Sequence, residues 1–270
     1  MNVTLSVIIV NYNGLRFLEK CFDSLIQNLK EIDYEIIVFD NNSVDESAVF
    51  IKEKYPNIIF IESKQNLGFG VGNNQAVSVA NGDYLLLINN DTIVLDNLKP
   101  ILDKLKSDSS IGVIGIKMLN KQKEYLQSVG NFPNPRNMFQ LKNLLRLGKE
   151  FESGNFTKKS YEVDWMAGSF LMLSKQTYQD IGGFDNDYFM YVEDVDFCKK
   201  IADLGYKRIL LPTFSYIHFV GFSNSKNPLL IKGYEIYISK HCKGLNKLIC
   251  QGALKTNKYI KTLKKNLKIE

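Results

Sequence analysis

The 270-residue sequence predicts an α/β fold with a mixed, mainly parallel central sheet flanked by helices. Two observations carry this. Short apolar runs rich in β-branched residues alternate with helix-length amphipathic stretches through the first third, and each run ends in polar residues. Such runs suit strands buried on both faces of a parallel sheet. Repeated β-α-β order with short connections suits a doubly wound arrangement.

The predicted strands are residues 5–10 (LSVIIV), 35–39 (EIIVF), 57–61 (NIIFI) and 84–88 (YLLLI). Residues 15–29, 44–55 and 70–80 carry helical spacing between them, with Ser43 and Asp45 where a helix N-cap is expected. Residues 121–160 are polar and form a long excursion with little helix. Residues 165–174 (WMAGSFLMLS) predict one strand, and 214–219 another. Between these two, a loop and an acidic helix start lead into a helix with Val195, Cys198, Ile201 and Ala202 on its buried stripe, ended by Gly205 and followed by a strand in KRILL. Residues 228–268 are mostly helical.

In sheets of this kind ligands bind beyond the carboxyl ends of the strands. Those ends are NYN (11–13), DNNS (40–43), ESKQN (62–66) and NND (89–91). A carboxylate such as Asp91 can cap a loop, but here it stands beside three other polar strand ends. Mg²⁺ or Mn²⁺ bridging phosphate oxygens would need few protein ligands at such a place. Gly68, Gly70 and Gly72 in NLGFGVGNNQAV let backbone approach a ligand closely, with Asn73 and Asn74 opening the next helix. They come two strands too late for a dinucleotide-binding fingerprint, which argues against an oxidoreductase. Glu193, Asp194 and Asp196 either complement a helix dipole or floor a site. Their mutual repulsion raises at least one pKa, and an ionised member beside a hydroxyl can serve as general base. His218, on an apolar strand, is a core residue or a nitrogen ligand that completes a metal site with Asp91.

Composition is that of a globular protein. No apolar run approaches the roughly 20 residues of a membrane-spanning helix, and the start has no basic leader. Cys21, Cys198, Cys242 and Cys250 lack zinc-type spacing and suit a reducing compartment. The formal net charge is +5, and nine lysines against one acid, Glu270, lie from Lys240 onward. That tail suits an anionic membrane surface, a phosphate-bearing partner or simply a solvated helix face.

Taken in order, SVIIVNYNG, FDNNSVDES, NLGFGVGNNQAV, LLLINNDT, WMAGSFLMLSK, GGFDNDYFMYVEDVDFC and YIHFVGFS resemble the family 2 inverting glycosyltransferases with GT-A fold, and particularly their bacterial rhamnosyltransferase-like branch. The resemblance extends to about residue 245. It implies that Val10, Asn11 and Tyr12 contact a nucleotide base and that Asp40 accepts a hydrogen bond from its ring N–H. Asn66, Gly68 and Asn74 would line the nucleotide pocket. Asn89-Asn90-Asp91 occupies the place of a D-x-D motif, Asp91 at its metal-binding last position and Asn89 in place of the first acid. Asp194 matches the catalytic base, with Glu193 orienting the acceptor. His218 matches a metal ligand, while Trp165 and Asp185 of the GGFD loop would border the acceptor.

The resemblance therefore implies a metal-assisted hexosyltransferase. The expected donor is dTDP-L-rhamnose or, as the alternative, a UDP-hexose; the acceptor is a glycan or polyprenyl-diphosphate-linked glycan at the inner face of the membrane. A non-catalytic nucleotide- or glycan-binding module is the more distant alternative. The expected layout is a GT-A domain over 1–225, with a nucleotide half (1–95) and an acceptor half (96–225), and a basic helical extension over 226–270. No nucleic-acid partner is expected, and homodimerisation stays open.

Overall fold

A computed structural model of the chain describes residues 3–219 and 228–266. The first half builds strands β1 (Leu5–Asn11), β2 (Tyr34–Asp40), β3 (Ile59–Glu62), β4 (Tyr84–Ile88) and β5 (Thr92–Val94). Helices α1 (Leu15–Asn28), α2 (Ser47–Lys54) and α3 (Phe69–Val77) lie between them. There follow α4 (Lys99–Ser107), β6 (Ile111–Leu119), the two-residue strands β7 (Tyr125–Leu126) and β8 (Val129–Gly130), and α5 (Lys149–Ser153). The chain continues with β9 (Tyr161–Glu162), β10 (Trp165–Met166), β11 (Phe170–Ser174), α6 (Lys175–Asp180), α7 (Glu193–Asp203) and β12 (Lys207–His218). Helices α8 (Pro228–His241) and α9 (Gly244–Asn266) close the described chain.

Among the described residues one large sheet runs β3-β2-β1-β4-β11-β6-β12-β5. β1 through β4 are mutually parallel, β11 is antiparallel to both its neighbours, and β6 and β12 are again parallel. Chain order reverses between β1 and β4, so a ligand crevice is expected beyond Asn11 and Ile88.

The strands alternate between two buried faces. Val7, Ile9, Val38, Leu86, Ile88 and Met172 pack on one side with Leu18, Phe22, Ile101 and Leu102 of α1 and α4. Ile8, Ile37, Leu85, Leu87 and Leu171 pack on the other with Ala76, Phe197, Ile201, Tyr237 and Leu254, so α8 and α9 share the core that holds α3 and α7. Both faces being dry explains why these strands are almost continuously apolar, with Ser6 of β1 donating to Glu35 of β2 at 2.6 Å as the polar exception.

Three local expectations are corrected. Residues 165–174 do not form one strand: β10 pairs β8 in a small sheet of its own, β11 joins the main sheet, and Ala167-Gly168-Ser169 turn between them. The 214–219 strand is instead the end of β12, which begins at Lys207 and passes Pro212 through a register shift between Leu211 and Ser215. A proline lacks the ladder N–H, so a bulge is where it fits. Finally, α2 starts at Ser47, later than residue 44, and Glu46 before it makes no side-chain cap. Asp45 serves two helix starts: its Oδ1 accepts from Ser47 N–H at 3.1 Å in α2, and its Oδ2 from Leu15 N–H at 3.0 Å at the start of α1.

Candidate active site

The polar strand ends meet in a hydrogen-bonded chain across β4, β1 and β2. Asn90 Nδ2 donates to Asn11 Oδ1 at 2.7 Å, and Asn11 Nδ2 donates to Asp40 Oδ1 at 2.8 Å. Asp40 also accepts from Ser43 Oγ at 2.6 Å and Ser43 N–H at 2.8 Å. Gly14 lies against this chain; a Cβ there would come within 2.0 Å of Asn90 Nδ2 and 2.4 Å of Asn11 Oδ1. The middle residue of the NND triplet thus ties the strand ends together, and all three residues of the triplet line a cavity of about 470 Å³. That is a size common for small-molecule sites.

On one wall of this cavity stand Val10, Tyr12, Asn66, Gly68 and Asn90, from the ends of β1 and β4 and the loop before α3. Gly68 is required twice over. Its φ is +84, and a Cβ would lie 2.3 Å from the Phe189 carbonyl oxygen. Asn41 fastens the same loop, accepting from Leu67 N–H at 2.8 Å and donating to Gly68 O at 3.0 Å.

Asp91 and His218 form the floor. Antiparallel pairing of β12 with β5 sets His218 opposite Thr92, which brings His218 Nε2 to 3.1 Å from Asp91 Oδ1. Asn89 Nδ2 lies 3.4 Å from the same nitrogen, and its Oδ1 is buried without a hydrogen-bond partner among the described residues. Among those residues no group of three or more His, Cys, Asp or Glu side chains could hold a metal ion. The donor set of one carboxylate, one imidazole and an unsatisfied amide oxygen still fits a divalent cation that takes its other ligands from phosphate and water.

The cavity is also lined by Met190, Tyr191, Glu193 and Asp194, which form a second wall beside the Gly68 loop. Asp194 Oδ2 accepts from Gly168 N–H at 3.1 Å and Oδ1 from Val195 N–H at 2.9 Å. Burial pushes the Asp194 carboxyl up from its ordinary value, against these hydrogen bonds. Burial and then the charge of Asp194 push Glu193 up as well, and Glu193 Oε2 has no hydrogen-bond partner among the described residues. The acids follow two consecutive left-handed residues, Tyr191 (φ 70) and Val192 (φ 72). Each such conformation costs about 1–3 kcal/mol and persists where surroundings enforce it.

Asp91 and Asp194, about a hundred positions apart, therefore face one cavity. Asn11, Asp40, Asn74, Trp165 and Asp185 are not on its wall. The first two are consumed in the strand-end chain. Asn74 Nδ2 donates to Phe184 O, and its Oδ1 accepts from Phe184 N–H and Tyr178 Oη, so it pins the GGFD loop. Trp165 is buried and donates to Asn131 O at 2.9 Å. Asp185 pairs with Lys240. Conversely, pattern reading missed Arg16, whose guanidinium sits 4.5 Å over Phe17, itself stacked on Phe219 at 5.3 Å. Its signal was a basic residue just after the first strand end. It also missed Gly168, whose signal was a glycine interrupting the apolar run 165–174.

Residues 6–179 match glycosyl transferase family 2, and residues 151–222 match the N-terminal domain of galactosyltransferase. The chain is 28% identical over 230 residues to the rhamnosyltransferase WbbL of Escherichia coli (strain K12), covering 81% of this chain and 84% of that protein. It is 23% identical over 255 residues to an N-acetylglucosaminyl-diphospho-decaprenol L-rhamnosyltransferase of Mycobacterium tuberculosis, covering 84% of this chain and 80% of that one. Among solved structures, GalNAc-T7 with UDP, GalNAc and Mn²⁺ superposes with a TM-score of 0.68 at 18% identity, over 88% of this chain and 48% of that one. Staphylococcus aureus TarS 1–349 in complex with UDP gives 0.59 at 17% identity, over 93% and 70%. The sheet order, the crevice at its reversal and these matches make the chain a GT-A glycosyltransferase belonging to family 2, with bacterial rhamnosyltransferases among its relatives.

Proposed function

We propose that the protein transfers L-rhamnose, with inversion, from dTDP-L-rhamnose to a hydroxyl of a glycan carried on a polyprenyl diphosphate. The observation that carries the reading is that Asp91, paired with His218, and Asp194 line one cavity. Inverting transfer needs charge neutralisation on the leaving-group side of the anomeric carbon and a base on the other. The strand-end wall of Val10, Tyr12, Asn66 and Gly68 seats the nucleoside. Asp194, ionised and held by Gly168 and Val195 N–H groups, takes the proton of the acceptor hydroxyl as its oxygen bonds to the anomeric carbon. The bond from that carbon to the diphosphate oxygen breaks, and dTDP leaves with the electron pair. Glu193 orients the acceptor. A divalent cation held by Asp91 and His218 would supply Lewis-acid stabilisation of the departing diphosphate.

A thermal-shift panel of sugar nucleotides, with and without Mn²⁺, tests this, because a ligand that binds the folded chain raises its melting temperature by mass action. Stabilisation by dTDP-L-rhamnose and formation of a rhamnosylated product with inverted anomeric configuration are expected. Stabilisation by UDP-hexoses alone would replace the donor, and binding without turnover would reduce the protein to a glycan- or nucleotide-binding module.

We further propose that the protein works as a peripheral protein on the inner face of the membrane, held by α9. No helix among the described residues is long and apolar enough to cross a membrane. Cys250, Ala253 and Leu254 bury one face of α9, while Leu245, Leu248 and Tyr259 are exposed on the other. No acid occurs from 244 to 266, where six lysines do. Apolar side chains on a basic helix suit an anionic bilayer surface. Sedimentation with phosphatidylglycerol-containing vesicles that falls as salt rises is expected; equal partitioning onto neutral vesicles would argue against it.

A further inference from the structure

Neither family match reaches α8, which begins at Pro228, yet α8 touches the catalytic wall at three places. Gly233 lies against the strained pair: a Cβ there would be 2.6 Å from Tyr191 O and 2.8 Å from Val192 Cγ2. Two turns on, Lys240 Nζ reaches Asp185 Oδ2 at 2.5 Å and Asp187 Oδ2 at 2.7 Å, at the start of the same loop. The next residue, His241, places Nε2 2.6 Å from Asp196 Oδ1 in α7, two residues beyond Asp194. Asp196 is 1% exposed and also accepts from Tyr188 Oη at 3.3 Å, and the ring of Tyr237 packs on His241 at 4.6 Å. One rigid helix thus grips the loop at its beginning, at its left-handed end, and at the first turn of the helix that carries the acids.

On its other side the loop is held by α3. Phe69 N–H donates to Phe189 O at 3.0 Å, and Asn74 bonds Phe184. Two left-handed residues without glycine, one of them β-branched, need such enclosure to persist. The acid wall thus rests on α3 at one side and α8 at the other, and of these α8 alone adds nothing to the strand ends that carry the nucleotide wall.

We propose that α8 braces the catalytic loop, with Lys240 and His241 as positioning residues that set the direction of the Asp194 carboxylate without touching substrate. The kinetic part rests on Asp194 being the base; the structural part does not. Removing either contact frees the loop and costs turnover, while the nucleotide wall keeps its affinity. The C-terminal segment is then part of the catalytic scaffold as well as a basic extension.

Hydrogen exchange of the full chain, read by mass spectrometry, tests the brace in Lys240→Ala, His241→Ala and Gly233→Ala. Peptides spanning 183–196 should exchange about tenfold faster or more, while those of β1 and β4 stay within about twofold of the parent. Lys240→Arg, which keeps the cation, should restore protection. With dTDP-L-rhamnose as donor, kcat should fall about tenfold at a donor KM within about twofold. Unchanged exchange in the loop, or uniform acceleration along the whole chain, would overturn the brace. Parent protein that binds neither dTDP nor UDP and transfers no sugar would overturn the catalytic reading instead, and the exchange comparison would still decide the brace.

Discussion

The N–H of Gly168 donates to Asp194 Oδ2 at 3.1 Å, which joins the turn between β10 and β11 to the first turn of α7. That bond aims one carboxylate oxygen and, with the Val195 N–H, favours its ionised form against the effect of burial. Asp194→Asn should therefore lower kcat by about 10²–10⁴-fold, the usual contribution of a general base. Nucleotide affinity measured by calorimetry should stay unchanged, because Asn fills the same space and the nucleotide wall is elsewhere.

As the proposed base, the same carboxyl should set the pH profile. A base acts ionised, and burial raises the pKa of Asp194 above its ordinary value. Transfer should rise with pH along a limb displaced above the ordinary carboxylate range. A limb at the usual carboxylate position would remove Asp194 from the role.

Glu193 gives a stability prediction of definite sign. Burial and the Asp194 charge raise its pKa, so the folded chain binds its proton more tightly than the unfolded chain does. Its ionisation costs stability as pH climbs from the unfolded pKa through the folded one. Glu193→Gln should gain on the parent in urea melts across that window and hold a constant advantage above it. A gain that shrinks with rising pH would contradict the assignment.

Gly14→Ala should push Asn90 off Asn11, since the new Cβ would lie 2.0 Å from Asn90 Nδ2. Loss of that hydrogen bond should cost about 1 kcal/mol of folding stability and weaken dTDP binding, both measurable on the purified variant. An unaltered affinity would show that the strand-end chain does not shape the nucleotide wall.

Arg16 is a permanent cation on a cavity whose wall also carries the carboxyls of Asp91, Glu193 and Asp194. Arg16→Ala should weaken nucleoside diphosphate binding about tenfold at low salt and less at high salt, as expected for a charge-assisted contact at an exposed position. Equal loss for the uncharged nucleoside would point to packing instead.

Much of this protein is written in local pattern. Nearly continuous apolar runs with polar ends specify β1, β2 and β4 and the edge of the sheet at which ligands bind, because two dry faces admit few polar residues until the strand stops. The NND triplet and the acids at 193, 194 and 196 could likewise be picked out as residue types without knowing what faces them. Their division of labour could not. Asn90 and Asp40 look like ligand contacts in the chain and also bond Asn11 and Ser43, pairings made only when three strands bring their ends together. His218 meets Asp91 because β12 lies antiparallel to β5, and Gly168 meets Asp194 because an apolar run breaks between two sheets. Lys240 and His241, read from sequence as part of a basic tail, are held by Asp185 and Asp196. Short-range periodicity determines elements and their polar ends; pairings across a hundred or more residues depend on sheet order and helix docking, which tertiary packing alone decides.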